Sequence, residues 1–247
     1  MIGAVVVVPG APALVPPLMG AAAADLEPVR SAALELLGSA LGTFAGPPDV
    51  VVAGPPNGGG VGAGPADHTR RGRWAGPVSA ADFGRAAVLD ALPGAPGGPP
   101  DPDVPTALLG ARWLLGEVAR EDPGAARWAG LTWLPVTPDS PATVPGEGPV
   151  LLVVAADGAA SHGPKAPRAE HPGAASYDDA IAAALAAGDP DRLTGTDPHL
   201  GAEVGALGPW VWPWLGRVTA GRRWRARVVW TGHPFGIGYV VASWVAA

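Results

Sequence analysis

The chain has 247 residues, of which 48% are hydrophobic, with no cysteine and a formal net charge of −6. That is enough chain for one large domain with a sizeable buried core. It rules out disulfides and thiolate metal sites, and it offers no broad basic surface for nucleic acid.

The first element is an apolar run over 3–8, Gly-Ala-Val-Val-Val-Val, which has no polar alternate and reads as a buried strand stopped by Pro9-Gly10. A helix is expected over 24–44, because Leu26, Val29, Ala33, Leu36, Leu37, Ala40 and Phe44 recur at helical spacing. Asp25 is its expected N-cap, and Pro28 falls in the first turn, where a missing N–H costs little. Residues 49–53 form a second strand, and this β-α-β order favours a parallel pair with a right-handed crossover. Gly (37) and Pro (31) supply more than a quarter of the chain, and long loops over 54–79 and 93–105 absorb much of that excess. The first loop carries Asn57-Gly58-Gly59-Gly60, but no GxxxxGK[ST] or GxGxxG phosphate-binding pattern is present.

A helix is expected over 106–120 and a strand over 130–136. Residues 150–154, Val-Leu-Leu-Val-Val, are too few for a lone helix and read as a fully buried strand. Past its carboxyl end come Asp157, Ser161, His162 and Lys165 in a turn rich in small residues. In open α/β sheets ligands sit at that end of the strands. His162 is therefore the candidate catalytic residue, since an imidazole titrates near neutrality. Asp157, Ser161 and Lys165 are candidate substrate-binding residues. The alternative for His162 is a solvent-facing loop histidine.

Ser176-x-x-Asp179 has the pattern of a capping box, and Gly188 supplies a helix stop. Short helices are expected over 189–193 and 198–207. Trp210, Trp212 and Trp214 alternate as in a strand, although Pro213 weakens one, and a buried tryptophan cluster is the plainer reading. Strands over 223–231 and 236–245 close the chain, joined by a Gly232-His233-Pro234 turn that gives His233 a structural role. Arg222, Arg223, Arg225 and Arg227 around Trp224 suit an edge strand with outward charges better than a surface for stacked bases.

The expected fold is α/β: one domain over 1–247, with a central, mostly parallel sheet, helices on both faces and an antiparallel C-terminal edge. No apolar run reaches the roughly 18 residues of a membrane span and no signal-peptide pattern is seen, so the expectation is a cytoplasmic protein without membrane or nucleic-acid partners. The five histidines show no HxH or HExxH spacing, so any metal site has to be assembled from distant loops. His68, in the long second loop, and Glu203, four residues after His199, are the weak candidate metal ligands.

Gly158-Ala159-Ala160-Ser161-His162 after a buried strand resembles the Gly-Gly-x-Ser-His turn in the catalytic chain of class III extradiol ring-cleavage dioxygenases. Ser176-Tyr177-Asp178 with Ala186-Ala187-Gly188-Asp189 and Leu193 is similar to that family's Phe-Asp helix and its Gly-Asp stop. The ending over 234–242, Pro-Phe-Gly-Ile-Gly-Tyr-Val-Val-Ala, and the Val-rich start with Pro9 and Ala13-Leu14-Val15-Pro16 resemble small actinobacterial members. The resemblance implies Fe(II) held by two His and one Glu, with His162 as a separate acid/base residue. It also exposes departures. Gly10 and Ala11 stand where the family's first ligand follows the first strand, and Gly54 to Asn57 stand where the second belongs. The expected protein is thus a dioxygenase-like scaffold with an incomplete metal site that binds a small molecule or partner in its cleft. Two alternatives stay open: an active Fe(II) enzyme opening a catechol-type ring, with His68, Glu203 and His162 or His233 on iron, and a structural component of a homo- or hetero-oligomer.

Overall fold

A computed structural model describes residues 1–56, 105–121 and 128–247, together with the backbone of three two-residue strands between 72 and 89. The elements, in chain order, are β1 (Ile2–Val8), α1 (Pro16–Met19), α2 (Glu27–Leu41), β2 (Asp49–Gly54), β3 (Gly72–Arg73), β4 (Val78–Ser79), β5 (Val88–Leu89), α3 (Leu109–Glu121), β6 (Gly130–Pro135), β7 (Val150–Ala155), α4 (Ala174–Ala187), α5 (Pro190–Thr194), α6 (Pro198–Glu203), α7 (Val211–Thr219), β8 (Trp224–Gly232) and β9 (Tyr239–Ala246).

Seven strands form one sheet in the order β3-β6-β2-β7-β1-β9-β8. The inner four, β6, β2, β7 and β1, run parallel. The C-terminal pair β9 and β8 joins β1 antiparallel. The β4–β5 pair stands apart as a two-stranded ribbon. The expected α/β class with an antiparallel C-terminal edge is what the chain adopts.

The apolar run of β7 sits in the middle, paired with β1 on one side and β2 on the other, and all six of its residues are buried. Strands β1 and β2 are therefore parallel without being neighbours, because β7 fills the gap that the β-α-β reading closed. Side chains of β7 alternate between two cores. Leu151, Val153 and Ala155 face α2 and α3, whereas Leu152 and Val154 face α4 and α7. Helices thus cover both faces, which explains why the central strands show unbroken apolar runs rather than alternation.

Three local readings change. Helix α2 starts at Glu27 with Leu26 at the N-cap, after a 3-10 segment Gly20–Leu26, so Asp25 does not cap it, while Pro28 does lie in its first turn. Helix α4 starts at Ala174, two residues before Ser176, so the capping box over 176–179 does not form, and Ser176 instead donates to the Gly173 carbonyl. The Trp-rich segment is helix α7, with Pro213 in its first turn, where a helix tolerates proline. Trp212 and Trp214 are buried in the second core as the cluster reading expected. Gly188 ends α4 in the left-handed conformation, at φ 61°, and the Arg-bearing strand β8 is the sheet edge, with Arg225 and Arg227 exposed. Among the described residues no helix is long and apolar enough to cross a membrane.

Candidate functional site

The carboxyl ends of the parallel strands, the start of β9 and the end of β8 all lie at one edge of the sheet. Backbone hydrogen bonds tie the loop after β7 to the β8–β9 connection. Gly158 N donates to Gly238 O at 2.7 Å, Gly238 N donates to Ala159 O at 2.7 Å, and His162 N donates to Gly236 O at 3.2 Å. These bonds hold the loop after β7 against the β8–β9 connection and fix where His162 stands.

The imidazole of His162 meets the carboxylate of Asp178, which comes from the second turn of α4. Nε2 of His162 and Oδ2 of Asp178 are 2.7 Å apart, and with the carboxylate ionised the imidazole is the donor. Asp178 Oδ1 accepts from the Ala159 backbone N–H at 2.8 Å. The second imidazole, His233, stacks on His162 with ring centroids 3.9 Å apart and planes 26° from parallel. Two glycines make room for the carboxylate, since a Cβ at Gly158 or Gly238 would overlap Asp178. Burial pushes the Asp178 carboxyl above its ordinary value, against the lowering effect of the Ala159 N–H and His162 hydrogen bonds.

A second carboxyl, Asp157, immediately precedes Gly158 in the chain. It is 4% exposed, and its Oδ1 accepts from the Gly10 backbone N–H at 2.7 Å. Burial raises its pKa to about 7, the Gly10 hydrogen bond opposing and the Asp178 charge adding to the rise. Asp157 opens onto a pocket of about 370 Å³ whose walls include Ala11, Leu18, Met19, Leu207, Phe235 and Ile237. Tyr239 lines this pocket and also a smaller one, of about 170 Å³, that touches Asp178 and His233. Burial, and then the Asp157 charge, push the Tyr239 phenol above its ordinary pKa. Phe235 at the rim has φ 59°, the only positive φ at a non-glycine residue among those described, and its side chain is exposed. Such strain at a pocket mouth marks a position held by its surroundings.

Of the residues expected from the sequence, His162 and Asp157 stand at this edge, half-buried and buried respectively. Ser161 is 1% exposed, and its hydroxyl has no hydrogen-bond partner among the described residues. Lys165 is exposed, and it lines neither pocket. Glu203 is exposed on α6 and lies outside the cluster of potential ligands. His68 lies outside the described residues. His233 was read as structural in its turn, and as an iron ligand only in the active-enzyme alternative; Asp178, noted only within a helix motif, is the partner that sequence reasoning missed. The glycines at 158, 236 and 238, spaced where two loops must touch, were the available signal.

His162, Asp178 and His233 could hold a metal ion, because their potential ligand atoms all lie within 4.8 Å of one another. As arranged, however, the closest pair is at hydrogen-bond distance. Two ligands about 2.1 Å from one ion stand roughly 3.0–3.4 Å apart, so a metal would have to replace the shared proton and spread the pair. The positions implied for iron by the family resemblance do not fit that group. Gly10, Ala11, Gly54, Pro55 and Pro56 offer no side-chain donor, Asn57 lies outside the described residues, and a Cβ at Gly54 would stand 2.6 Å from Leu108 and 2.7 Å from the Ala155 carbonyl oxygen. No protein-family model matches the chain, and no curated protein matches it.

Proposed function

We propose that this chain is an extradiol-dioxygenase-like scaffold that binds a small molecule in the cleft at the strand carboxyl ends and has lost the iron centre of its kind. The observation that carries this reading is the replacement of donors by small and apolar residues at the ends of β1 and β2, beside an apolar pocket with a carboxyl in its wall. A cleft of this size and lining is of the kind that takes small ligands. The His162–Asp178 pair gives the cleft a proton-handling group, and the Asp178 carboxylate fixes the orientation of the ring. Anaerobic loading with Fe(II), desalting and metal analysis tests the loss of iron. The expected result is far less than one iron per chain, and tight stoichiometric iron contradicts it.

A second reading is favoured by one specific observation. His162, Asp178 and His233 make a set of two imidazoles and one carboxylate, the donor types of open non-haem Fe(II) sites. In that case the Fe(II)-loaded protein consumes oxygen with catechols, and His233→Ala abolishes the uptake. Uptake no faster than that of free Fe(II) rejects this reading.

A further inference from the structure

We propose that the pocket beside Asp157 takes a small apolar molecule ending in a protonated amine, with the ammonium paired to the Asp157 carboxylate. The inference rests on the small-molecule reading of the cleft and names the class of ligand.

Three features carry it. First, the walls are apolar and made by separate parts of the chain: Leu18 and Met19 from α1, Leu207 after α6, and Phe235 and Ile237 from the β8–β9 connection. These suit a hydrocarbon or aromatic body. Second, Asp157 is the only charged side chain among the described residues lining the pocket. One of its oxygens is held by the Gly10 N–H, and the other has no hydrogen-bond partner among the described residues. A buried carboxylate with a free oxygen and no cation beside it is costly, and a ligand ammonium supplies the missing charge-assisted bond. Third, the one side-chain charge found to act on Asp157 is that of the Asp178 carboxyl, a negative one, so the surroundings favour a cation over an anion.

The chemistry also discriminates. A neutral alcohol of the same shape can fill the walls and donate one hydrogen bond, but it does not neutralise the carboxylate. A carboxylic acid brings a like charge. Isothermal titration at pH 8 with phenethylamine, 2-phenylethanol and 3-phenylpropionate separates these cases. The amine is expected to bind at least roughly tenfold tighter than the alcohol, and the acid weakest of the three. Asp157→Asn keeps the acceptor for Gly10 and should weaken the amine at least about tenfold while leaving the alcohol within about threefold. Ala13→Phe, which fills the pocket from its rim, should weaken all three probes. If the alcohol or the acid binds as tightly as the amine, or if Asp157→Asn keeps the amine affinity, the ligand class is wrong while the cleft reading stands. If none of the three binds the unaltered protein, both fail.

Discussion

Two carboxyls stand beside Gly158, Asp157 next to it in the chain and Asp178 packed against it, and their surroundings treat them in opposite ways. Asp178 is enclosed by partners: the Ala159 N–H holds one oxygen, His162 holds the other, and His233 stacks behind. Asp157 is deeper, has the Gly10 N–H as its one hydrogen-bond partner among the described residues, and faces apolar walls. Asp178 belongs to a self-satisfied polar cluster, and Asp157 is a buried acid awaiting a partner. Buried polar groups cost free energy unless paired, so Asp157 is the one where a ligand gains most from binding.

The largest effect that would break or sharpen this contrast is expected at Asp157. Its folded-state pKa, raised from 3.8 to about 7, means that the folded protein holds this proton more tightly than the unfolded chain does. Stability from this group is thus fully present below about pH 4 and falls as the pH rises towards 7, by up to about 4 kcal/mol at 1.36 kcal/mol per unit. Asp157→Asn should remove that slope, so urea unfolding should show the variant gaining on the parent between pH 4 and 8. A parallel pH dependence for both proteins counts against the buried acid.

Next comes the cradle of Asp178. Gly238→Ala forces a Cβ into the Asp178 carboxylate and should cost about 3 kcal/mol in denaturant unfolding. An unchanged midpoint would mean that Asp178 does not sit there. His233→Ala removes the stacked ring, but His233 is exposed, so roughly 0.5–1 kcal/mol is expected from the same measurement. The smallest effect is at Phe235→Gly. Relief of the left-handed backbone offsets the entropy of glycine, so stability should move by less than about 1 kcal/mol, while affinity for the amine probe falls with the lost wall.

Much of the scaffold was legible from local pattern. The unbroken apolar run of β7, its boundaries and the alternation in β8 each follow from how many faces of a strand are buried. Strand order was not legible, since nothing in the runs of β1, β2 and β7 says which of them lies between the other two. The tryptophans misled on secondary structure because spacing of two resembles a strand, whereas Pro213 falls in a first turn and Trp212 and Trp214 are both buried, on a helix. At the site, His162 and Asp157 were visible because they follow the central strand. Asp178 was not, and His233 entered only as an alternative iron ligand, because their meeting with His162 depends on two loops touching through Gly158 and Gly238, a contact between positions far apart in sequence. Lys165 was proposed from proximity along the chain, and a turn carries it out to solvent.

The most direct measurement is an anomalous difference map at the iron edge from a crystal grown anaerobically with Fe(II). The expected result is no peak at the carboxyl ends of β1 and β2, where Gly10, Ala11 and Gly54 carry no side-chain ligand for iron. A full-occupancy peak at that place would contradict the reading of the cleft as a ligand pocket without its iron.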